Sequence, residues 1–82
     1  MKVTINVTQE DIDKGKQGDS CKCPVALALR RIHPGARVGS LTLFIADDWV
    51  ESTPEVARKF ISEFDNGRPV GPISFDILGI TW

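Results

Sequence analysis

At 82 residues the chain has room for one domain, here residues 1–82. A chain of this size buries only roughly 60–65% of the surface its unfolded form exposes, which argues against a lobed enzyme with a deep cleft. Hydrophobic residues make up 41% and charged residues 26%, with seven Gly and five Pro, so neither a disordered nor a collagen-like chain fits. Ten Lys plus Arg against eleven Asp plus Glu leave a net charge of −1, which supplies no bulk field for drawing in nucleic acid or an anionic membrane.

The first residues, Met1-Lys2-Val3-Thr4-Ile5-Asn6, alternate polar with apolar and lack the continuous apolar region of a secretory signal. No apolar run approaches the roughly 18 residues of a membrane span. Cys21 and Cys23 are one residue apart, so a bridge between them would close a small strained ring and crosslink nothing distant. A reducing cytoplasm is therefore the expected compartment.

Lys2 to Thr8 places Val3, Ile5 and Val7 on one side, which predicts a half-buried first strand. Thr8 then heads Gln9-Glu10-Asp11, an oxygen-bearing cap followed by acids, and predicts a short helix with Ile12 as its buried contact. Lys16 to Ser20 reads as an exposed loop. Ser20 or Cys23 caps the next helix, Pro24 sits in its first turn, and Val25, Ala28, Leu29 and Ile32 recur at helical spacing before His33-Pro34-Gly35 stops it.

Leu41, Leu43 and Ile45 alternate with Thr42 and Phe44, Asp47-Asp48 makes a turn, and Trp49 to Glu51 returns as a hairpin, with Phe44 on the second face. Thr53 is expected to cap a helix whose stripe is Val56, Ala57, Phe60, Ile61 and Phe64, closed by Asn66-Gly67. Arg68 to Pro72 must cross a surface in an extended path. Ile73, Phe75 and Ile77 form the last strand. The order, βαββαβ with an extra helical turn after the first strand, predicts an α+β, two-layer, ferredoxin-like split βαβ fold, with two helices on one face of a four-stranded antiparallel sheet.

The residues offer few constellations for chemistry. Cys21-Lys22-Cys23-Pro24 opens a helix, where amide donors, the helix dipole and Lys22 would favour thiolate and soft-metal binding. The bland alternative is that both cysteines pack a helix start. His33 is expected to cap the helix end, and a helix of about 15 Å keeps it from meeting either cysteine as a catalytic pair. The glycines form neither GxGxxG nor a P-loop. Arg30, Arg31, Arg37 and Arg68 offer phosphate-binding forks if they converge, with Trp49 lining a shared pocket, although solvated surface is the default for such arginines. Asp47-Asp48 and Asp11/Asp13 read as turn and cap charges. The apolar end, Leu78-Gly79-Ile80-Thr81-Trp82, favours self-association and hence a homo-oligomer.

Cys21 to Val38, with its two cysteines followed by Val25, Leu29, Ile32 and Gly35, resembles the metal-binding loop and first helix of heavy-metal-associated domains. That likeness implies Cys21 and Cys23 as ligands of Cu(I) or Zn(II), or as a thiol redox pair. The family spaces its cysteines by two residues; here one intervenes, and Asp19 stands where the family carries methionine.

A second resemblance covers most of the chain. Val7-Thr8-Gln9-Glu10-Asp11-Ile12, Cys23-Pro24-Val25-Ala26-Leu27-Ala28 and Pro54-Glu55-Val56-Ala57-Arg58-Lys59-Phe60-Ile61 resemble small proteins encoded by tailed phages and prophages. This resemblance implies a host-takeover or counter-defence factor in the host cytoplasm, one that binds a host defence protein or sequesters a nucleotide-like immune signal without catalysis or a cofactor. The expected ligand residues are Arg30, Arg37, Trp49 and Arg68, with the soft-metal reading at Cys21 and Cys23 as the alternative.

Overall fold

The computed structural model describes residues 2–39, 41–46 and 49–78. The elements run β1 (Lys2–Val7), α1 (Gln9–Lys14), α2 (Pro24–Arg30), β2 (Arg37–Val38), β3 (Thr42–Ala46), β4 (Trp49–Ser52), α3 (Glu55–Asp65) and β5 (Ile73–Leu78). The α+β class follows directly. None of the described helices is long and apolar enough to cross a membrane.

β1 and β5 pair antiparallel, and their register explains why both sequences alternate. Val3 faces Ile77, Ile5 faces Phe75 and Val7 faces Ile73, which puts an apolar row against the helices. The other face carries Thr4 opposite Asp76 and Asn6 opposite Ser74, each pair joined by a side-chain hydrogen bond of 2.7 Å. A period of two thus separates core from solvent without a break.

The expected single four-stranded sheet is instead divided in two: β1 with β5, and β2-β3-β4 in that order. The first-to-last pairing and the β3–β4 hairpin are both present, and the addition is β2. Its residues Arg37 and Val38 pair with Phe44 and Leu43 across a connection closed by the Gly39 amide donating to Thr42 O at 2.8 Å. So short a connection closes at little entropic cost, and α2 packs on both β1 and β2, so one helix ties the two sheets together. The turn expected at Asp47-Asp48 and the apolar end at 79–82 lie outside the described residues.

Caps explain where the helices start. Thr8 closes a reciprocal box with Asp11: its Oγ1 accepts from the Asp11 amide at 3.2 Å while the Asp11 carboxylate accepts from the Thr8 amide at 2.9 Å. Cys23, one of the two expected caps of α2, accepts from the Ala26 amide through Sγ at 3.4 Å. At α3 the expectation fails. Pro54 is the N-cap, Thr53 lies one residue too early, and its buried Oγ1 has no hydrogen-bond partner among the described residues. Gly67, at φ +74, closes α3, a backbone conformation that glycine adopts without steric cost.

The core is one cluster that joins all the layers. Ile5 and Val7 of β1, Val25 and Leu29 of α2, Leu43 and Ile45 of β3, and Ile77 of β5 are all almost completely buried, each contributing about 1.5–3 kcal/mol of transfer free energy. Ile32 and Val56, expected in the apolar stripes, are exposed. α2 ends at Arg30, so Ile32 leaves its face, and Val56 sits in the first turn of α3.

Candidate functional site

The site is built around the turn that follows α2. The amides of Ile32 and His33 both donate to Leu29 O, at 3.0 and 2.8 Å, and the Ala36 amide returns to His33 O at 2.9 Å. Ala36 is fully buried and anchors the turn from below. Arg30 fixes it from the side: its Nε donates to Pro34 O at 2.7 Å and its Nη1 to Cys21 O at 3.3 Å. A guanidinium committed to two carbonyls is a brace, so Arg30, an expected ligand residue, holds the site's wall instead of facing a ligand.

Beside this turn the outer face of β2-β3-β4 carries a cross-strand row. Arg37 lies opposite Phe44, and Phe44 opposite Val50, so the three side chains share one face. The guanidinium of Arg37 stands 5.5 Å from the centre of the Phe44 ring, within cation–π range. His33 places its ring edge-on to Trp49, centroids 4.9 Å apart at 82°, and the Trp49 indole N–H donates to Glu51 Oε2. The expected capping of helix carbonyls by the His33 ring is thus replaced by an aromatic contact.

Together His33, Pro34, Arg37, Phe44, Ile45 and Val50 line an open groove of about 420 Å³. Its lining is mixed, apolar from Pro34, Phe44, Ile45 and Val50 and polar from His33 and Arg37. Neither the Arg37 guanidinium nor the His33 imidazole makes a hydrogen bond or an ion pair with a described residue. Two donor-bearing side chains therefore face an aromatic and aliphatic trough with no hydrogen-bond partner among the described residues, a composition suited to a small-ligand site.

The other expected residues divide clearly. Trp49 is buried behind His33 and supports the groove from beneath. Arg68 is exposed after α3 with its amide bonded to Glu63 O and does not line the groove. Arg31, read in the sequence as solvated, is a structural clamp on Asp11 and on Asn6 O.

Both cysteines precede the first residue of α2. Cys21 is half-buried and Cys23 buried, with the Cys23 sulfur turned inward to cap α2. Burial pushes the Cys23 thiol up, the amides of Ala26 and Val25 oppose this without overcoming it, and the charges of Asp65 and Asp19 add to the rise. The thiolate-favouring effect expected of the helix start is outweighed at Cys23 by desolvation. Among the described residues no group of three or more His, Cys, Asp or Glu side chains is placed to hold a metal ion.

Phe44 and His33 are the groove residues that sequence reasoning undervalued. The signal for Phe44 was present, since an apolar residue on the outward face of an alternating strand is an exposed aromatic by construction. His33 carried no such signal. Compared with family models, curated proteins and solved structures, the chain matches none.

Proposed function

We propose that this chain is a non-enzymatic binding protein whose groove at His33, Arg37 and Phe44 captures a small, planar, anionic ligand of nucleotide-like character. The observation that carries this reading is the placing in one trough of an exposed Phe44 ring and a guanidinium that has no hydrogen-bond or ion-pair partner among the described residues. A guanidinium fork recognises a phosphate or carboxylate, and an aromatic face accepts a planar ring. The described lining residues supply no hydroxyl or thiol nucleophile, which favours capture over turnover. The likeness to phage-encoded proteins gives the reading its context, sequestration of a nucleotide-like signal of host defence.

The test is native mass spectrometry of the protein after incubation with a mixture of cellular nucleotides. Retention of one adduct that is released chemically unchanged is the expected result. A bare chain, together with no heat of binding by calorimetry, or recovery of a converted product, contradicts it.

A further inference from the structure

We infer that the groove selects a phosphomonoester of a nucleoside, a terminal phosphate on a planar base, over a cyclic or bridging phosphodiester; this rests on the reading of the groove as an anion site. Two donors from different segments face the same trough. His33 ends the turn after α2, while Arg37 begins β2 on the far side of the Pro34-Gly35-Ala36 bend. A carboxylate offers two oxygens, both engaged by a single guanidinium fork, so a third donor must share one of them. A phosphomonoester presents three acceptor oxygens and close to two negative charges at neutral pH, enough for both ends of the fork and for a third donor. A diester has lost one of those oxygens and one of those charges.

Size points the same way. A groove of about 420 Å³ lies near the lower end of the roughly 300–1,000 Å³ of small-molecule sites, so one nucleotide fills it and a dinucleotide overfills it. The base then lies along Phe44 and Val50, which are 41% and 54% exposed in the free protein and lose water on binding. Arg37 already stacks against the Phe44 ring, so its guanidinium is held at one end of that surface before the ligand arrives, which reduces the ordering cost of binding.

Calorimetry on the full chain with four probes separates the possibilities: a nucleoside 5′-monophosphate, its 3′,5′-cyclic form, the nucleoside alone and inorganic phosphate. The monophosphate should bind at least about tenfold more tightly than each of the others. Arg37→Met, which keeps the aliphatic stem of an exposed side chain, should remove that preference, while Arg58→Met on α3 leaves it intact. Equal affinity for the cyclic form overturns the monoester assignment and leaves the anion-site reading standing, whereas equal affinity for the uncharged nucleoside overturns both. Inorganic phosphate binding as tightly as the nucleotide overturns the monoester assignment as well, because the base then contributes nothing. No heat from any of the four overturns both readings.

Discussion

Arg31 closes a two-pronged contact on Asp11, Nη1 to Oδ1 at 2.5 Å and Nη2 to Oδ2 at 2.9 Å, while the same Nη2 donates to Asn6 O at 2.6 Å. One side chain thus ties the end of α2 to α1 and to β1. Asp11 is buried, Arg31 half exposed, and the same carboxylate accepts the Thr8 amide that opens α1. Arg31→Met should lower the unfolding free energy by about 1–2 kcal/mol, a charged hydrogen bond discounted for the solvent around Arg31. Asp11→Ala should cost more, about 2–4 kcal/mol, because the cap is lost too. Urea denaturation measures both; equal or negligible losses would contradict the dual role.

The same contact carries a pH dependence. Burial raises the Asp11 carboxyl, but the Arg31 hydrogen bond, the Thr8 amide and the Arg31 charge together hold it below its ordinary value. A carboxyl lowered in the folded state contributes stability that is fully present above its unfolded value near about 3.9 and is lost as pH falls through the folded value. The stability gap between the parent and Asp11→Asn should therefore be full at pH 6 to 7 and narrow below about pH 4. A gap that is constant down to about pH 2 would contradict the clamp.

Thr53 supplies the opposite case, a buried hydroxyl left without a hydrogen bond among the described residues. It is 4% exposed and its Oγ1 meets no partner among the described residues, although its amide bonds Leu41 O at 3.1 Å. An orphaned hydroxyl costs roughly 1–3 kcal/mol of desolvation. Thr53→Val keeps the shape and removes that cost, so its melting temperature should equal or exceed the parent's. A loss of more than about 1 kcal/mol would show that the hydroxyl caps α3 after all.

The elements whose period matches their burial were legible from the residues alone: the alternation of Val3-Ile5-Val7 and Ile73-Phe75-Ile77, the α2 stripe of Val25, Ala28 and Leu29, and the Thr8 cap. What was not legible depends on positions distant in sequence. Arg31 meets Asp11 twenty residues away only because α2 folds back on α1. β2 was not legible because two residues, Arg37 and Val38, are too short to carry a periodicity. The groove was half legible. Arg37 and Trp49 were expected there, but Arg30 was drawn off by Pro34 O and Arg68 lies elsewhere, while His33 joined through a contact with Trp49 that no local pattern encodes.

The two cysteines should separate chemically. Cys23 caps α2 and is buried with its thiol pushed up, whereas Cys21 is half-buried in the loop. An alkylating reagent at pH 8 should modify Cys21 well before Cys23, read by mass spectrometry of the fragments. Cys23→Val, which keeps an apolar side chain and loses the cap, should cost about 1 kcal/mol. Equal labelling rates would place Cys23 outside the core.

The claim that the groove between the His33 turn and the Arg37-Phe44-Val50 row is the binding site is tested most directly by a two-dimensional amide NMR titration with a nucleoside monophosphate. The amides of His33, Arg37, Phe44 and Ile45 should shift with one saturable dissociation constant, while those of Cys21 and Arg68 stay in place. Shifts centred on Cys21 or Arg68, or no shift at millimolar ligand, would contradict the assignment.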